Sequence, residues 1–152
     1  MRTSTGATKR RRRDEDMAPT SLTRKQVMDA LRKGRSLVEA DLRGADLTGL
    51  NFDGRDLSFT KLADANLSNC TFKGARLEGA SMWHANLQDA VLDEAVLDFA
   101  DLDCANIDGC RFRGARIRKT ILPNPRVSLA QVESSIRTGE TIRLPQEELD
   151  FE

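Results

Sequence analysis

The chain has 152 residues, and its 24 basic and 24 acidic side chains give a formal net charge of zero. That length suits a single domain, and the balanced charge excludes binding of nucleic acid or of a cationic partner through bulk charge alone. No apolar run approaches the ~18–20 residues of a membrane span, and no apolar stretch follows the basic N-terminus as in a secretory signal. Three cysteines without CxxC spacing favour a reducing compartment, so we expect a cytoplasmic protein with no membrane contact.

Residues 1–20 are rich in Thr, Ser, Gly and Arg, and a basic run that includes Arg10–Arg13 is followed directly by three acidic residues. The segment has too few apolar side chains to offset the entropy lost on ordering, so we predict a disordered basic tail. The arginine run can attract nucleic acid or an acidic partner, or it can be a solvated tail neutralised by its own acidic neighbours. We expect no other contact with nucleic acid.

Residues 21–39 are predicted to form a short capping helix and a lead-in. Thr23 and Gln26 have the spacing of a capping box, and Gly34 can end the helix. The apolar residues predicted to share one helix face are Val27, Met28, Ala30 and Leu31. An open sheet edge needs a cover, so this helix is expected to cap the repetitive segment that begins at residue 40. Residues 35–37 lead into that segment, or form a degenerate first unit of it.

Residues 40–124 repeat with a period of five. The third position of each unit is apolar in 17 consecutive units, and alanine stands two positions earlier in eleven of them. The expected core includes Leu42, Phe52, Leu62, Phe72, Met82, Leu92, Leu102 and Phe112. A helix needs apolar spacing near 3.6 and a single strand needs alternation of two, so neither fits. A chain that turns a corner after every unit places all of these pairs inside, and four corners close a square coil made of four units.

The motif resembles that of the pentapeptide-repeat family, Ala-Asp/Asn-Leu-X-X. The resemblance implies an all-β solenoid, a right-handed quadrilateral β-helix of about four coils, capped by short helices at both ends. In such a coil Cys70 and Cys110 lie two coils apart, about 10 Å, which is too far for a disulfide. Arg55 occupies an inward position that alanine fills in the later coils, so we expect it to leave over the first coil's edge or to pair with an acid there.

Residues 125–152 are predicted to form a C-terminal helix and a tail. Ser128 can cap the helix and Gly139 can end it, with Leu129, Val132 and Ile136 along one side. The tail from Glu140 onward is expected to be loose. In some pentapeptide-repeat proteins a C-terminal helical segment pairs two rods end to end, so the resemblance allows a homodimer through this helix.

One outer face carries residue types that occur in catalytic and metal sites. Asp64, His84 and Cys104 hold the same repeat position in successive coils, so a thiolate–imidazole pair or a transition-metal site is conceivable there. A flat, exposed face offers neither a pocket nor oxyanion donors, so we expect an ordinary polar surface. We therefore predict no enzymatic activity, no cofactor and no bound metal.

A second set of outer positions holds apolar residues that the motif does not require. Phe59 and Phe99 hold equivalent positions two coils apart on one face, with Val96 close by and Val91 around a corner, and Trp83 lies beside His84 on another face. Exposed apolar groups of this size can mark a partner surface, or the terminal segments can fold back over them.

A third set is acidic: Asp89, Asp93, Glu94, Asp98, Asp101, Asp103 and Asp108. The best functional prediction is a non-enzymatic scaffold or adaptor that binds a protein partner through these surfaces.

The family resemblance supplies an alternative function. Some pentapeptide-repeat proteins mimic the charge and diameter of duplex DNA, bind type II topoisomerases such as DNA gyrase, and protect them from quinolone-type drugs. The acidic run between residues 89 and 108 suits that role. The repeats as a whole hold 13 acids against 10 bases, however, and five bases follow at residues 111–119. A nucleic-acid binder that uses the N-terminal arginine run together with the bases at residues 111–119 is a less favoured alternative, because no aromatic stacking platform accompanies either patch.

Overall fold

The computed structural model describes residues 21–123 and 127–144. The predicted tail over residues 1–20 therefore lies outside the described residues, as do residues 124–126 and 145–152. In the described residues the chain forms two helices, α1 (Arg24–Arg32) and α2 (Leu129–Thr138), with the repeats between them.

Parallel bridges hold the repeats together in a fixed register. The first joins Asp41 to Lys61 and the last joins Asp101 to Ile121, and every bridge in between has the same spacing in the sequence. A new bridge begins at every fifth residue, so four units make one coil and each coil has four sides. This is the stacking that the period of five predicts. Each unit is one rung of a ladder, and it lies directly beside the unit four places further along the chain.

Each corner is a β-turn closed by a hydrogen bond from the first residue of the next unit. In the unit around Leu42, the amide of Ala45 donates to the carbonyl of Leu42 at 3.2 Å, and Gly44 between them has φ +66. Positive φ at the third turn residue, with a bond from the fourth residue to the first, is the geometry of a type II turn. Before the turn, the carboxylate of Asp41 accepts from the amide of Arg43 at 3.2 Å. The Asp/Asn of the motif is thus used locally, because its short side chain satisfies a turn amide.

The interior is a continuous column of apolar side chains. Leu42, Phe52, Leu62, Phe72, Met82, Leu92, Leu102 and Phe112 are all 1% exposed or less. The rings of Phe52 and Phe72 stack with centroids 5.1 Å apart, as expected for residues on successive rungs. Towards the end of the repeats, Ile117 and Leu122 are only partly buried. The other inward positions are mostly alanine. Because these side chains are small, opposite sides of each coil lie close together and the large core side chains touch one another.

Helix α1 lies against the first coil. Thr23 and Gln26 form the predicted capping box, and Val27 and Ala30 are buried. Met28 does not share that face, because 48% of it is exposed. The repeat also begins earlier than residue 40: Leu37 is 3% exposed, and the amide of Glu39 donates to the carbonyl of Ser58 at 3.0 Å. Residues 35–39 therefore form a degenerate first unit.

Arg55 leaves the interior at this end of the molecule. Its guanidinium donates to the carbonyl of Leu31 at 2.8 Å. Leu31 lies in the last turn of α1, where carbonyls have no partner within the helix. Of the two expectations for Arg55, the exit over the edge is the one observed, and the helix supplies its acceptor.

Helix α2 and the residues after it lie on the last coil. Ser128 and Gln131 form a capping box, and Gly139 ends the helix with φ +79. Val132 is buried, whereas Leu129 is 54% exposed and does not belong to the packed side. The amide of Gly114 donates to the carbonyl of Ile136 at 2.9 Å, which pairs an amide that the end of the ladder would leave open.

The prediction of a loose tail from residue 140 is wrong over residues 140–144. Ile142 is 2% exposed. Its amide donates to the carbonyl of Cys110 at 2.7 Å, and its own carbonyl accepts from the amide of Gly109 at 2.7 Å. The last coil presents unpaired backbone groups, and Ile142 satisfies two of them while filling the apolar end of the core. Within the described residues, no helix is long and apolar enough to cross a membrane.

Candidate functional site

The outward residues of the repeats form straight columns, because each unit stacks on the unit four places before it in the chain. One side of the rod consists of residues 35–39, 55–59, 75–79, 95–99 and 115–119, and we call it the phenylalanine face. Its outermost column is Glu39, Phe59, Gly79, Phe99 and Lys119. The amides of Glu39, Phe59, Gly79 and Phe99 each donate to the next rung at 2.9–3.0 Å, which fixes their stacking.

The two phenylalanines of this column are exposed in an unusual backbone conformation. Phe59 is 55% exposed with φ +58, and Phe99 is 52% exposed with φ +62. A bulky residue at positive φ is a genuine outlier, and the left-handed conformation costs an L-residue roughly 1–2 kcal/mol. The same turn position is held by glycine at residues 44, 49, 54, 74, 79, 109 and 114. It is held by other residues in the remaining ten units, where Phe59 and Phe99 are the large apolar ones. The phenylalanines thus stand where local stability favours glycine.

The ring of Phe59 lies along the rod, and the ring of Phe99 has a cation beside it. A Cβ atom on Gly79 would stand 2.5 Å from Cε1 of Phe59, so that ring covers the glycine on the next rung. The ammonium of Lys119 lies 5.7 Å from the centroid of the Phe99 ring, within the range of a cation–π contact. The column is therefore a nearly continuous apolar ridge with an acidic residue at one end and a basic one at the other.

Of the two valines predicted for this surface, Val96 lies on the phenylalanine face and Val91 on the neighbouring side, and both are only partly exposed. They hold the bridge positions of their units, where the backbone pairs with the rungs on either side. Trp83 is on a third side of the rod, 44% exposed, with its ring centroid 5.3 Å from that of His84. The structure thus brings Phe59, Phe99 and Val96 together and places Trp83 elsewhere.

The acidic set divides into buried and exposed members. Asp93 is 7% exposed and Asp98 is 4% exposed. Asp93 accepts from the guanidinium of Arg111 at 2.8 Å, and Asp98 accepts from that of Arg116 at 2.7 Å. The other members, Asp89, Glu94, Asp101, Asp103 and Asp108, are exposed or half-buried.

These ion pairs join the acidic run to the basic run. Arg111 and Arg116 belong to the five bases at residues 111–119, so two members of each run neutralise one another across adjacent rungs. The two residues of each pair are 18 apart in the sequence, which is about the length of one coil. This pairing could have been predicted from the sequence by looking for acidic and basic residues about one coil apart.

In the column of Asp64, His84 and Cys104, the first two side chains are in contact. Nδ1 of His84 lies 2.7 Å from Oδ1 of Asp64, an exposed contact whose donor depends on the histidine tautomer. Loss of solvation, with the carboxylate of Asp103 nearby, raises the pKa of Cys104 and so disfavours the thiolate. Among the described residues, no group of three or more His, Cys, Asp or Glu side chains is placed to hold a metal ion.

The remaining cysteines belong to the interior. Cys70 and Cys110 are 0% exposed, and their thiols donate to the carbonyls of Leu47 and Leu87, each at 2.9 Å. Burial raises the pKa of Cys70 to about 11 and raises the pKa of Cys110 as well. Both therefore act as small packed side chains, and all three cysteines are unpaired.

Comparison with known proteins identifies the repeat. The model of the pentapeptide repeat family matches the chain in eight copies, over residues 34–58, 56–82 and 84–118, which is more than half of its length. No curated protein sequence matches the chain.

Two solved structures share the fold at appreciable identity. A pentapeptide repeat protein from the Arabidopsis thaliana thylakoid lumen is 28% identical, with 65% of this chain and 85% of that one covered and a TM-score of 0.50. One from Nostoc Pcc 7120 is also 28% identical, with 74% and 95% covered and a TM-score of 0.50. QnrB1, a plasmid-mediated fluoroquinolone resistance protein, is 17% identical, with 57% and 59% covered and a TM-score of 0.28, which carries no functional argument.

The period of five, the constant register of the bridges and the family match agree. Proteins of this kind fold as right-handed quadrilateral β-helices. This chain belongs to the pentapeptide repeat family.

Proposed function

We propose that this protein is a non-enzymatic scaffold or adaptor that binds a protein partner through the phenylalanine face. The observation that carries the proposal is the pair Phe59 and Phe99, each about half exposed at a turn position where glycine is less strained. Ten of the seventeen turns carry a side chain at this position, and Phe59 and Phe99 are the large apolar ones among them. A partner contact accounts for two exposed apolar rings on one side of the rod. The flat backbone ladder beneath them holds both rings at a fixed spacing.

The rod offers a second property that suits a scaffold. Every buried side-chain nitrogen or oxygen in the described residues has a hydrogen-bond partner, and the core side chains are closely packed. Such an interior resists deformation, so the outer columns keep their positions when a partner binds. We propose a rod of about four coils, closed by α1 and α2, which block the sheet edges against uncontrolled addition of further chains.

The test compares the partners captured by the wild-type chain with those captured by Phe59→Asn/Phe99→Asn. Asparagine is chosen because Asn69 already holds the equivalent turn position with φ +58, so the variant keeps the backbone geometry. Gln88→Ala, an exposed change on another side of the rod, is the matched control. We expect proximity labelling to give one set of proteins with the wild type and the control, and to lose that set with the double variant.

Salt dependence adds a second measurement to the same experiment. An apolar contact should survive an increase in ionic strength, because screening acts on charges. An identical set of labelled proteins from the wild type and the double variant would contradict the proposal.

A DNA-mimic that binds DNA gyrase or another topoisomerase is the weaker candidate. The exposed carboxylates of Asp89 and Glu94, with the half-buried Asp101, Asp103 and Asp108, are what favours it. Against it, Asp93 and Asp98 are neutralised by arginines, so the anionic surface is interrupted. A gyrase supercoiling assay decides: inhibition that fades with salt supports the mimic, and no effect at any concentration rejects it.

The unpaired thiols motivate a cytoplasmic location, which we retain as part of the proposal. The Arabidopsis relative is described as a protein of the thylakoid lumen, so relatives of this fold are not confined to one compartment. Fractionation of the host cells, followed by detection of the native protein, tests the assignment directly.

A further inference from the structure

The outermost column of the phenylalanine face can pair with a second copy of itself that runs in the opposite direction. From one end of the rod to the other they are Glu39, Phe59, Gly79, Phe99 and Lys119. Reversed, the column again has a phenylalanine on each side of the central glycine, and the acidic and basic ends exchange places. A two-fold axis at the level of Gly79, perpendicular to the rod, therefore sets the backbone of Phe59 opposite that of Phe99 and the backbone of Glu39 opposite that of Lys119. It also brings the two Phe59 rings, each of which covers Gly79 in its own chain, together at the axis. In a two-fold interface each residue pair occurs twice, so both ends are satisfied together.

We propose that the phenylalanine face joins two copies of this chain side by side in antiparallel orientation. This inference rests on the proposed function, since it names a second copy as a partner of the same face. The ridge supplies apolar area at the centre, and the charged residues at its ends set the orientation.

The charges around the column agree with this orientation. Near one end of the face Glu39, Asp56 and Arg35 are exposed, so acidic residues are in the majority there. Near the other end the exposed ionisable residues are all basic: Arg116, Arg118 and Lys119. Antiparallel packing brings the acidic end of each copy to the basic end of its partner. Parallel packing would set Lys119 against Lys119 and Glu39 against Glu39, and like charges in contact oppose association.

The central rung carries no uncompensated charge. Arg76 and Glu78 lie 3.6 Å apart and pair within the chain. Asp98, on the next rung, is 4% exposed and is held by Arg116 at 2.7 Å. Gly79 has no side chain, and the ring of Phe59 covers it. Two such faces can approach without burying a lone charge.

The size of the face sets the expected affinity. Five rungs at ~4.8 Å spacing are about 20 Å long, and the face is only one side of the coil wide. That area is below the ~800 Å² per partner of a standard specific interface, so the dimer should be weak and reversible. We expect a dissociation constant on the order of 10–100 µM.

Sedimentation equilibrium of the full chain, over roughly two decades of concentration around that constant, tests the proposal. The weight-average mass should rise from 16.9 kDa towards twice that value for the wild type. Phe59→Asn/Phe99→Asn should stay monomeric while it keeps the wild-type circular dichroism spectrum. Leu129→Ser, which removes an exposed apolar side chain from α2, should dimerise like the wild type.

Charge reversal tests the antiparallel register. Glu39→Lys alone and Lys119→Glu alone should each weaken the dimer by about tenfold, because each places like charges at both ends of the interface. The double variant Glu39→Lys/Lys119→Glu restores opposite charges and should dimerise within about twofold of the wild type. This recovery is specific to a self-complementary antiparallel contact.

Several results would overturn the inference. These are a monomer at every concentration, a dimer that persists in Phe59→Asn/Phe99→Asn, a dimer lost in Leu129→Ser, and single charge reversals without effect. Partner labelling separates this inference from the proposed function. A monomeric wild type that still loses labelled partners in the double phenylalanine variant removes the dimer and leaves the scaffold, and a dimer with unchanged labelling does the reverse.

Discussion

The ring of Phe59 lies over Gly79 on the next rung, so that a Cβ atom at residue 79 would stand 2.5 Å from Cε1 and 2.6 Å from Cδ1 of the ring. The two residues are thus coupled although they lie a full coil apart in the sequence. Gly79 also has φ +66, which an L-residue adopts only with strain. The glycine therefore serves both the turn and the position of the exposed ring.

This coupling predicts a non-additive response to substitution. Gly79→Ala should lower the free energy of unfolding by about 1–2 kcal/mol from the left-handed backbone, with a further loss of about 0.5 kcal/mol or more from displacing the ring of Phe59. In a Phe59→Asn background only the backbone part should remain. Urea unfolding of the four proteins of this cycle measures the difference, and equal costs in both backgrounds would show that the ring moves away freely.

The acidic run predicts unequal costs for two of its members. Asp98 accepts from Arg116 at 2.7 Å and from the amide of Arg118 at 3.1 Å, so Asp98→Ala leaves that amide without its partner. The free energy of unfolding should fall by about 1–3 kcal/mol. Glu94→Ala, an exposed change in the same run, should stay within about 0.5 kcal/mol of the wild type. Chemical denaturation compares the two, and a cost for Glu94→Ala as large as that for Asp98→Ala would contradict this division.

The buried thiols predict a loss of stability in alkali. An unfolded cysteine ionises near pH 9.0, whereas burial raises the pKa of Cys70 to about 11 and raises the pKa of Cys110 too. Above about pH 9 the unfolded chain releases these protons and the folded chain does not, so stability present at neutral pH is lost as the pH rises. For Cys70 the loss should reach about 2–3 kcal/mol by pH ~11.

Cys70→Ala/Cys110→Ala is the control for that pH dependence. Alanine already fills the same column at Ala90, so the fold should accept both changes. Unfolding free energies of the wild type and the variant, measured from about pH 8 to about pH 11, should converge as the pH rises. Parallel curves would mean that the cysteines are not the source of the slope.

The ordered residues after α2 predict a structural role for Ile142. This side chain is 2% exposed and its backbone pairs with both Gly109 and Cys110. Ile142→Ala should lower the free energy of unfolding by about 2–4 kcal/mol, the usual cost of a large-to-small change in a core. Thr141→Ala, next to it and exposed, should change stability by no more than about 0.5 kcal/mol. Thermal unfolding followed by circular dichroism gives both values, and similar midpoints would indicate that residues 140–144 add nothing to the core.

Short-range patterns predicted most of the architecture. The period of five identified the coil, its register and its core columns, because every unit has the same two inward positions. Both helices were predicted from their caps, since Thr23 and Ser128 satisfy backbone groups only three residues away. Errors arose where a face was inferred from helical spacing alone: Met28 and Leu129 are exposed because neither helix is surrounded on that side.

The candidate site was only half visible in the sequence. Phe59 and Phe99 could be recognised as exposed from their repeat position, and their spacing of two whole coils placed them on one side. The repeat position of Trp83 likewise places it on a different side, beside His84. The position of the Phe59 ring over Gly79 could not be predicted, because it depends on how side chains lean along the stacked rungs.

The coil can be predicted from the amino-acid sequence, because a five-residue repeat is a local pattern and the same turn chemistry recurs in every unit. The arrangement of the ends and of the charges depends on contacts between coils. Arg55 donates to a carbonyl of α1, the backbone of Ile142 pairs with that of the last coil, and Asp98 forms an ion pair with Arg116. Each of these contacts joins residues from different coils or from outside the repeat. Their partners are fixed by the stacking of the rod, which brings together groups that no neighbouring residues could pair.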